Sequence, residues 1–416
     1  MLAPMTQTSD ESSNTDSPFW RRTLWTMVAV QFTMSVAFSI VQPVMPLFLP
    51  DLGVTSESAV DMWAGVLAAS TSFVAIFTGP FWGHLSDRYG RKIMVLRSTL
   101  GIAIFTGLMG LALSPWHMLA LRAGMGALAG FSSASVVMVA TQVPEKRMGY
   151  SLGWMSTGQL VGSLIGPLIG GAIADIAGSY RLPFYTAGII CLGAFFLTLL
   201  VPERFTPPTE ISRKGGLIAN LSTLLRAGGL LPVIMVMMMA QFATQAVGPV
   251  VTLFVRDMLG NRPDIATLGG LAFASTGLAG VLAVPFLGKR GDTLGYRKVL
   301  MLSLGGAALF SAPQALPLGY TAFVIERFGL GLFVGGVLPA ANALIGRLAN
   351  PAQRGLVFGM TSSAYFLGNT LGPLMGGSVA ATFGINWVFA VTATLLTMNL
   401  VWVFLKVPEL GDEPQG

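Results

Sequence analysis

Long apolar blocks separated by short polar turns make up nearly the whole chain. Runs of about 20 mostly apolar residues recur at roughly 22–49, 61–82, 93–113, 117–140, 149–173, 183–201, 229–254, 266–287, 299–315, 320–344, 355–381 and 387–405. Each has the length that crosses a hydrocarbon core of about 30 Å. Such a run must be a helix in a bilayer, because a helix satisfies its own backbone hydrogen bonds. The pattern predicts an all-α integral membrane protein with twelve transmembrane helices, numbered here as spans 1 to 12.

One polar stretch is long. Residues 202–228 hold Pro202, Arg204, Pro207, Pro208, Arg213, Lys214, Gly215 and Gly216 and read as a linker. The expected organisation is a tail (1–21), a six-helix lobe (22–201), the linker (202–228), a second six-helix lobe (229–405) and a tail (406–416).

The second lobe repeats the first. Gly83, Asp87, Gly90, Arg91 and Lys92 return as Gly288, Asp292, Gly295, Arg297 and Lys298. Pro43–Asp51 returns as Pro249–Asp257, and Arg122, Gly126 and Gly130 return as Arg327, Gly331 and Gly335. Gly162, Gly166, Pro167, Gly170 and Gly171 return as Gly368, Gly372, Pro373, Gly376 and Gly377. The offset stays at 205 or 206 residues. An even number of spans per half gives both halves the same orientation, the parallel repeat of a two-lobed transporter.

Composition agrees with the pattern. The chain of 416 residues is 53% apolar and only 10% charged, with mean hydropathy +0.70; a soluble domain carries about 25% charged residues. The net charge of +6 suggests nucleic acid only until the charges are placed. With both termini on one side, 19 of the 24 Lys and Arg fall on that side, which the positive-inside rule makes cytoplasmic. The first 18 residues are polar and lack the basic and apolar regions of a cleaved signal. Cys191 is the only cysteine, so no internal disulfide forms.

The twelve spans, the Gly83–Lys92 turn, the Arg122–Gly126 pair and the Gly162–Gly171 segment together resemble the major facilitator superfamily. More narrowly they resemble its bacterial drug:proton antiporter branch. That resemblance implies a secondary-active exporter of amphipathic drug-like compounds, driven by proton antiport through alternating access in the bacterial inner membrane. It implies no cofactor beyond the proton gradient and no nucleic-acid partner, and a monomer is expected. A proton-coupled importer or exporter of one small metabolite is the alternative in the same fold. A membrane enzyme would need a nucleophile–base set or metal ligands, and His84 and His117 lie near opposite faces. An ATP-driven pump would need a phosphate-binding Gly-x-x-x-x-Gly-Lys-Ser/Thr loop, which the chain lacks. The repeat argues for alternating access over a channel.

Five groups of site residues follow. Asp87, with Gly83, Arg88, Gly90 and Arg91, is expected to latch the lobes at the cytoplasmic face by meeting the N-terminus of span 11, with Asp292 as a weaker second copy. Arg122 and Arg327 are cations inside spans, costly unless they face water or a partner; the resemblance links Arg122 to proton transfer. Glu326 is the acid well inside an apolar span and the candidate reversible proton site, helped by Asp61. Gly162, Gly166, Pro167, Gly170, Gly372 and Pro373 are expected to pack a gate at the lobe interface. Gln31, Met34, Met238, Gln241, Gln245 and Tyr365 are expected to line a large, mostly apolar substrate cavity with no metal site.

Overall fold

The structure is a computed structural model, and it describes residues 18–144, 147–201, 203, 229–349 and 354–409. The described residues are helical throughout, without strands. Ten stretches among them are long and apolar enough to cross a membrane. Spans 9 and 11 correspond to two further helices, Tyr296–Ser311 and Arg354–Phe383. Large apolar side chains such as Phe77, Ile189, Leu309 and Phe404 stand exposed, as side chains do where lipid is the solvent.

Several spans are not the single helices that the apolar runs predict. Span 1 ends as a helix at Ile40 and resumes as the short helix Met45–Phe48. Span 7 runs over Leu230–Val247, passes through a 3-10 turn at Gly248–Val250 and continues over Val251–Leu259. Pro43, Pro46 and Pro249 explain both breaks, because proline lacks the N–H that the preceding turn needs. Span 4 divides into Pro115–Ala127 and Phe131–Gln142, and span 10 into Tyr320–Val334 and Val337–Leu348. Gly130 sits between the span 4 pieces at φ 114°, a conformation that favours glycine. Conversely, the basic turn is narrower than expected. Span 2 stays helical from Glu57 to Tyr89, Gly90 alone turns the chain at φ 98°, and span 3 starts at Arg91. Gly295 makes the same turn between Ile265–Leu294 and Tyr296–Ser311.

The internal repeat is a structural repeat. Within the first lobe, span 1 packs on spans 5 (Met148–Ala177) and 6 (Leu182–Leu199), span 3 on span 6, and span 2 on span 4. The second lobe pairs span 7 with 11 and 12 (Ile385–Lys406), 9 with 12, and 8 with 10. Prolines lie inside equivalent helices, Pro80 with Pro285 and Pro167 with Pro373. Across the lobes the extensive pairings are span 2 with 11 and span 5 with 8.

Candidate substrate cavity and gates

The lobes meet toward the membrane face opposite Gly90 and Gly295. The contact there is backbone on backbone. A Cβ added at Gly65 would stand 2.5 Å from the Pro373 carbonyl and 2.9 Å from Gly377 Cα, and one added at Gly377 would stand 2.7 Å from the Asp61 carbonyl. Gly270 meets the Pro167 carbonyl and Gly171 the Ala266 carbonyl as closely. Small residues let helices approach in this way where lipid tails leave no hydrophobic drive for association. Asp61 is buried in this seal.

The glycine ladders work elsewhere than expected. A Cβ at Gly162 would stand 2.7 Å from the Phe32 carbonyl, and one at Gly166 would stand 2.6 Å from that of Val36. Gly170 lies on Ile40. In the second lobe Gly372 would reach 2.6 Å from the Phe242 carbonyl, and Gly376 lies on Ala246. These glycines therefore fix span 5 to span 1, and span 11 to span 7, inside each lobe. The seal between lobes belongs to the adjoining helix surface, where Pro167, Gly171, Pro373 and Gly377 lie. The reason is geometric: a ladder repeating every four residues marks one face, and span 5 needs two close approaches on different faces.

Between the lobes lies a cavity of about 570 Å³. Its wall is mostly apolar, with the amides of Gln42, Gln241, Gln245 and Asn369, the hydroxyls of Ser72, Thr106, Ser163, Thr244 and Thr276, and Arg122 and Arg327 from the two lobes. A second cavity of about 870 Å³ shares Phe38, Ser72 and Ile102 with it and extends to Gly83, Ser86, Asn342 and Tyr365. The space between the lobes thus continues toward the basic face.

Arg122 donates to Met45 Sδ at 2.9 Å, while its Nε is buried without a partner. Arg327 is buried over the Phe273 ring at 5.9 Å, and its Nε also lacks a partner. Glu326 is buried, does not line the cavity, and makes no ion pair or hydrogen bond among the described residues. The structure therefore brings the two arginines to one cavity but places Glu326 and Asp61 outside it.

Of the six residues expected in the cavity, two line it and a third lines the second cavity. Gln241 and Gln245 both donate to Asn369 Oδ1, at 3.1 and 2.7 Å, and Tyr365 faces the second cavity. Gln31 is buried behind the wall, donating to Gln159 Oε1 at 3.2 Å and accepting from Ser135. Met34 is 1% exposed in the lobe core. Met238 is also outside the wall, and its neighbour Met237 lines the second cavity instead.

At the basic face several latch residues have contacts within their own lobe. Gly83 has open space around it, and Arg88 is exposed with its guanidinium 5.5 Å from the Tyr89 ring. The backbone N–H groups of Arg91 and Lys92 donate to Glu203 Oε1 at 2.7 and 3.2 Å, and Arg91 Nη1 donates to Ser86 Oγ at 3.1 Å. Asp292 accepts from the Tyr296 hydroxyl of its own lobe. The Asp87 side chain and residues 350–353, which precede span 11, lie outside the described residues, and so does the expected contact between them.

Three polar devices escaped the sequence reading. Glu203 caps the N-terminus of span 3, and Glu409 approaches Arg297 and Lys298 at 3.4 and 3.9 Å. A repeated Val-Pro-Glu triplet at 201–203 and 407–409 was the available signal. Arg97 lies 3.4 Å from the Trp82 ring centroid and donates to the Leu128 and Ala129 carbonyls at 3.4 and 3.0 Å, while Trp82 donates to Ala127. Together they close the C-terminal end of the half-helix that carries Arg122, where cations suit the dipole. Asp175 reaches from span 5 to the first turn of span 8; its sequence setting gave no signal.

A two-lobed helical body with one face sealed and a cavity open toward the other defines a transporter of the alternating-access kind. The sequence matches the family description "Major Facilitator Superfamily" over residues 27–263 and 233–416, and the chain belongs to that family. It is 38% identical over 402 residues to the multidrug resistance protein MdtG of Enterobacter lignolyticus, covering 96% of this chain and 95% of the relative. It is 39% identical over 386 residues to the MdtG protein of Serratia proteamaculans, covering 92% and 93%. A solved bacterial homologue of the human lysosomal transporter Spinster, in an inward-facing and occupied conformation, shares the fold with TM-score 0.75 at 15% identity over 94% and 97% of the two chains.

Proposed function

We propose that this protein exports amphipathic small molecules in exchange for protons, by alternating access across a bacterial inner membrane. The carrying observation is one cavity between two lobes, sealed by glycine backbone contacts at one face and continuous toward the basic face. We assign the basic face, both termini and the linker to the cytoplasm on the distribution of Lys and Arg. The structure then corresponds to a state that loads from the cytoplasm. The mostly apolar wall with few amides suits large amphipathic compounds, and sugars or phosphate esters would call for many more donors. Similarity to multidrug resistance proteins over nearly the whole chain supports export.

In this reading Arg122 and Arg327 govern charge in the cavity, Glu326 is the acid that exchanges the proton, and Asp61 is a second acid at the seal. The Asp87 copy of the basic turn is the principal latch when the cytoplasmic side closes, Asp292 is secondary, and the working unit is the monomer. The test is proton flux in proteoliposomes on addition of a fluorescent amphipathic dye, for the native protein and Glu326→Gln. Dye-dependent proton release by the native protein that Glu326→Gln abolishes is expected. Release that survives the substitution would remove Glu326 from the mechanism, and no release from the native protein would reject proton exchange.

A further inference from the structure

The first turn of span 8 needs acceptors for its free N–H groups, as every helix start does. Span 2, at the equivalent place in the other lobe, supplies its own: Ser56 Oγ accepts from the Ala59 N–H at 3.3 Å. Span 8 does not. Asp264 occupies its N-cap position, with its carbonyl accepting from the Leu268 N–H at 3.0 Å, yet the Asp264 side chain makes no cap. Both carboxylate oxygens instead accept from Arg262, Nε and Nη2 at 3.0 Å each. This hydrogen-bonded pairing pulls the Asp264 carboxyl below the usual carboxylate range, so it stays ionised.

The second and third residues of the helix, Ala266 and Thr267, are the ones that an N-cap side chain ordinarily serves. Here their N–H groups donate across the lobe interface to Asp175, at 3.2 Å to Oδ1 and 2.6 Å to Oδ2. One turn earlier on span 5, Gly171 sits against the Ala266 carbonyl, so helix and cap approach as one surface. The pseudo-symmetric position of Asp175 is Ala381, which can offer no acceptor. Among the described residues the span 5–8 contact therefore carries the charged clasp of the seal, while the span 2–11 contact has only the weak Ser378 hydroxyl donation to Met62 Sδ at 3.8 Å.

We propose that Asp175 and Asp264 exchange the cap of span 8 during transport, making Asp175 a positioning residue for closure of the far face. This rests on the alternating-access reading above. While the far face is closed, Asp175 holds the Ala266 and Thr267 N–H groups and Arg262 holds Asp264. When the lobes part there, Asp175 leaves with its own lobe. Asp264 then releases Arg262 and caps its own helix, so the open state does not strand two donors. No bond is made or broken beyond hydrogen bonds.

The test uses a single cavity cysteine, Ser163→Cys in a Cys191→Ser background, labelled in oriented membrane vesicles by an impermeant maleimide added from either face. Asp175→Ala should raise the far-face labelling rate about fivefold, the equilibrium equivalent of one helix cap. Asp264→Ala should lower it by a similar factor, because the open state loses its replacement cap. Arg262→Ala, which frees Asp264, should raise it. Opposite signs for the two aspartates are not the signature of general destabilisation. Shifts of the same sign, or none, overturn the exchange. Should Asp175→Ala not yield folded protein, Asp264→Ala and Arg262→Ala, both at exposed side chains, decide by the same opposition. Labelling from both faces without these shifts rejects the clasp alone. Labelling from one face only in every variant rejects alternating access and the clasp with it.

Discussion

The two lobes share a backbone but not a polar wiring. Both carry the same glycine ladder, the same proline-bearing helices and the same break four helices in, with Arg122 and Arg327 at matching positions. Their side-chain bridges differ. The first lobe joins spans 1 and 5 through Gln31 and Gln159; the equivalent residues in the second are Met237 and Tyr365. The second lobe joins spans 7 and 11 through the amides of Gln241, Gln245 and Asn369, where the first carries Ser35, which donates to the Gln159 carbonyl at 2.6 Å, with Ser39 and Ser163. The span 4 break is closed by Arg97 and Trp82, whereas the span 10 break packs Gly336 against Leu287 and Ser303 without a cation. Close packing leaves little freedom, so it is duplicated; polar groups set the cavity and gates, so they diverge.

The shared part should break equally in either lobe. Gly170→Leu and Gly376→Leu each force a side chain into a neighbouring backbone, at Ile40 and Ala246. Overpacking of this kind costs about 1–3 kcal/mol and more where backbone must move. Both variants should show a clearly lowered thermal midpoint in detergent, by similar amounts. A drop in one alone would mean that the lobes are less equivalent than their contacts.

The arginines probe where symmetry ends. Arg122→Gln should reduce dye export at least tenfold, about 1.4 kcal/mol in barrier terms. Arg327→Gln should reduce it less, since Arg122 sits in the half-helix wired by Arg97 and Trp82 to the basic turn. Export by inverted or resealed vesicles, normalised to protein level, measures both. Equal losses would make the cavity electrostatically symmetric. Next in size is Arg97→Leu, which removes a half-buried stack on Trp82 and two carbonyl contacts. Cation–π pairs contribute about 0.5–2 kcal/mol, so a fall in thermal midpoint is expected. Ser303→Ala, at the span 10 break, should leave it unchanged, because the Ser303 hydroxyl has no partner.

How much of this was legible in the chain follows from what a sequence encodes locally. Apolar length gave the helices and the 205–206 offset gave the lobes, because both are properties of contiguous residues. Arg122 and Arg327 were visible because a charge in an apolar run stands out. The breaks at Gly130 and Gly335–Gly336 were not, since glycine is common in membrane helices and only the fold shows which one turns the chain. Asp175 was hidden for a different reason: its partners are two backbone N–H groups 91 and 92 residues away, and backbone groups carry no sequence. Met34 and Met238 line neither cavity, because composition identifies an apolar residue without saying what packs against it.

The smallest effect separates Glu203 from Glu409, which occupy matching positions in the repeated triplet. Glu203 accepts from two backbone N–H groups at the start of span 3, and replacing a helix cap costs about 0.5–2 kcal/mol. Among the described residues Glu409 meets only the side chains of Arg297 and Lys298, and it is 61% exposed; such surface pairs contribute about 0–1 kcal/mol. Glu203→Ala should therefore lower the thermal midpoint and Glu409→Ala should scarcely move it, with the gap unchanged in high salt for the cap and any Glu409 effect lost there. If Glu409→Ala proves as costly, the second lobe has a cap of its own at this face, and the divergence between lobes is confined to the cavity.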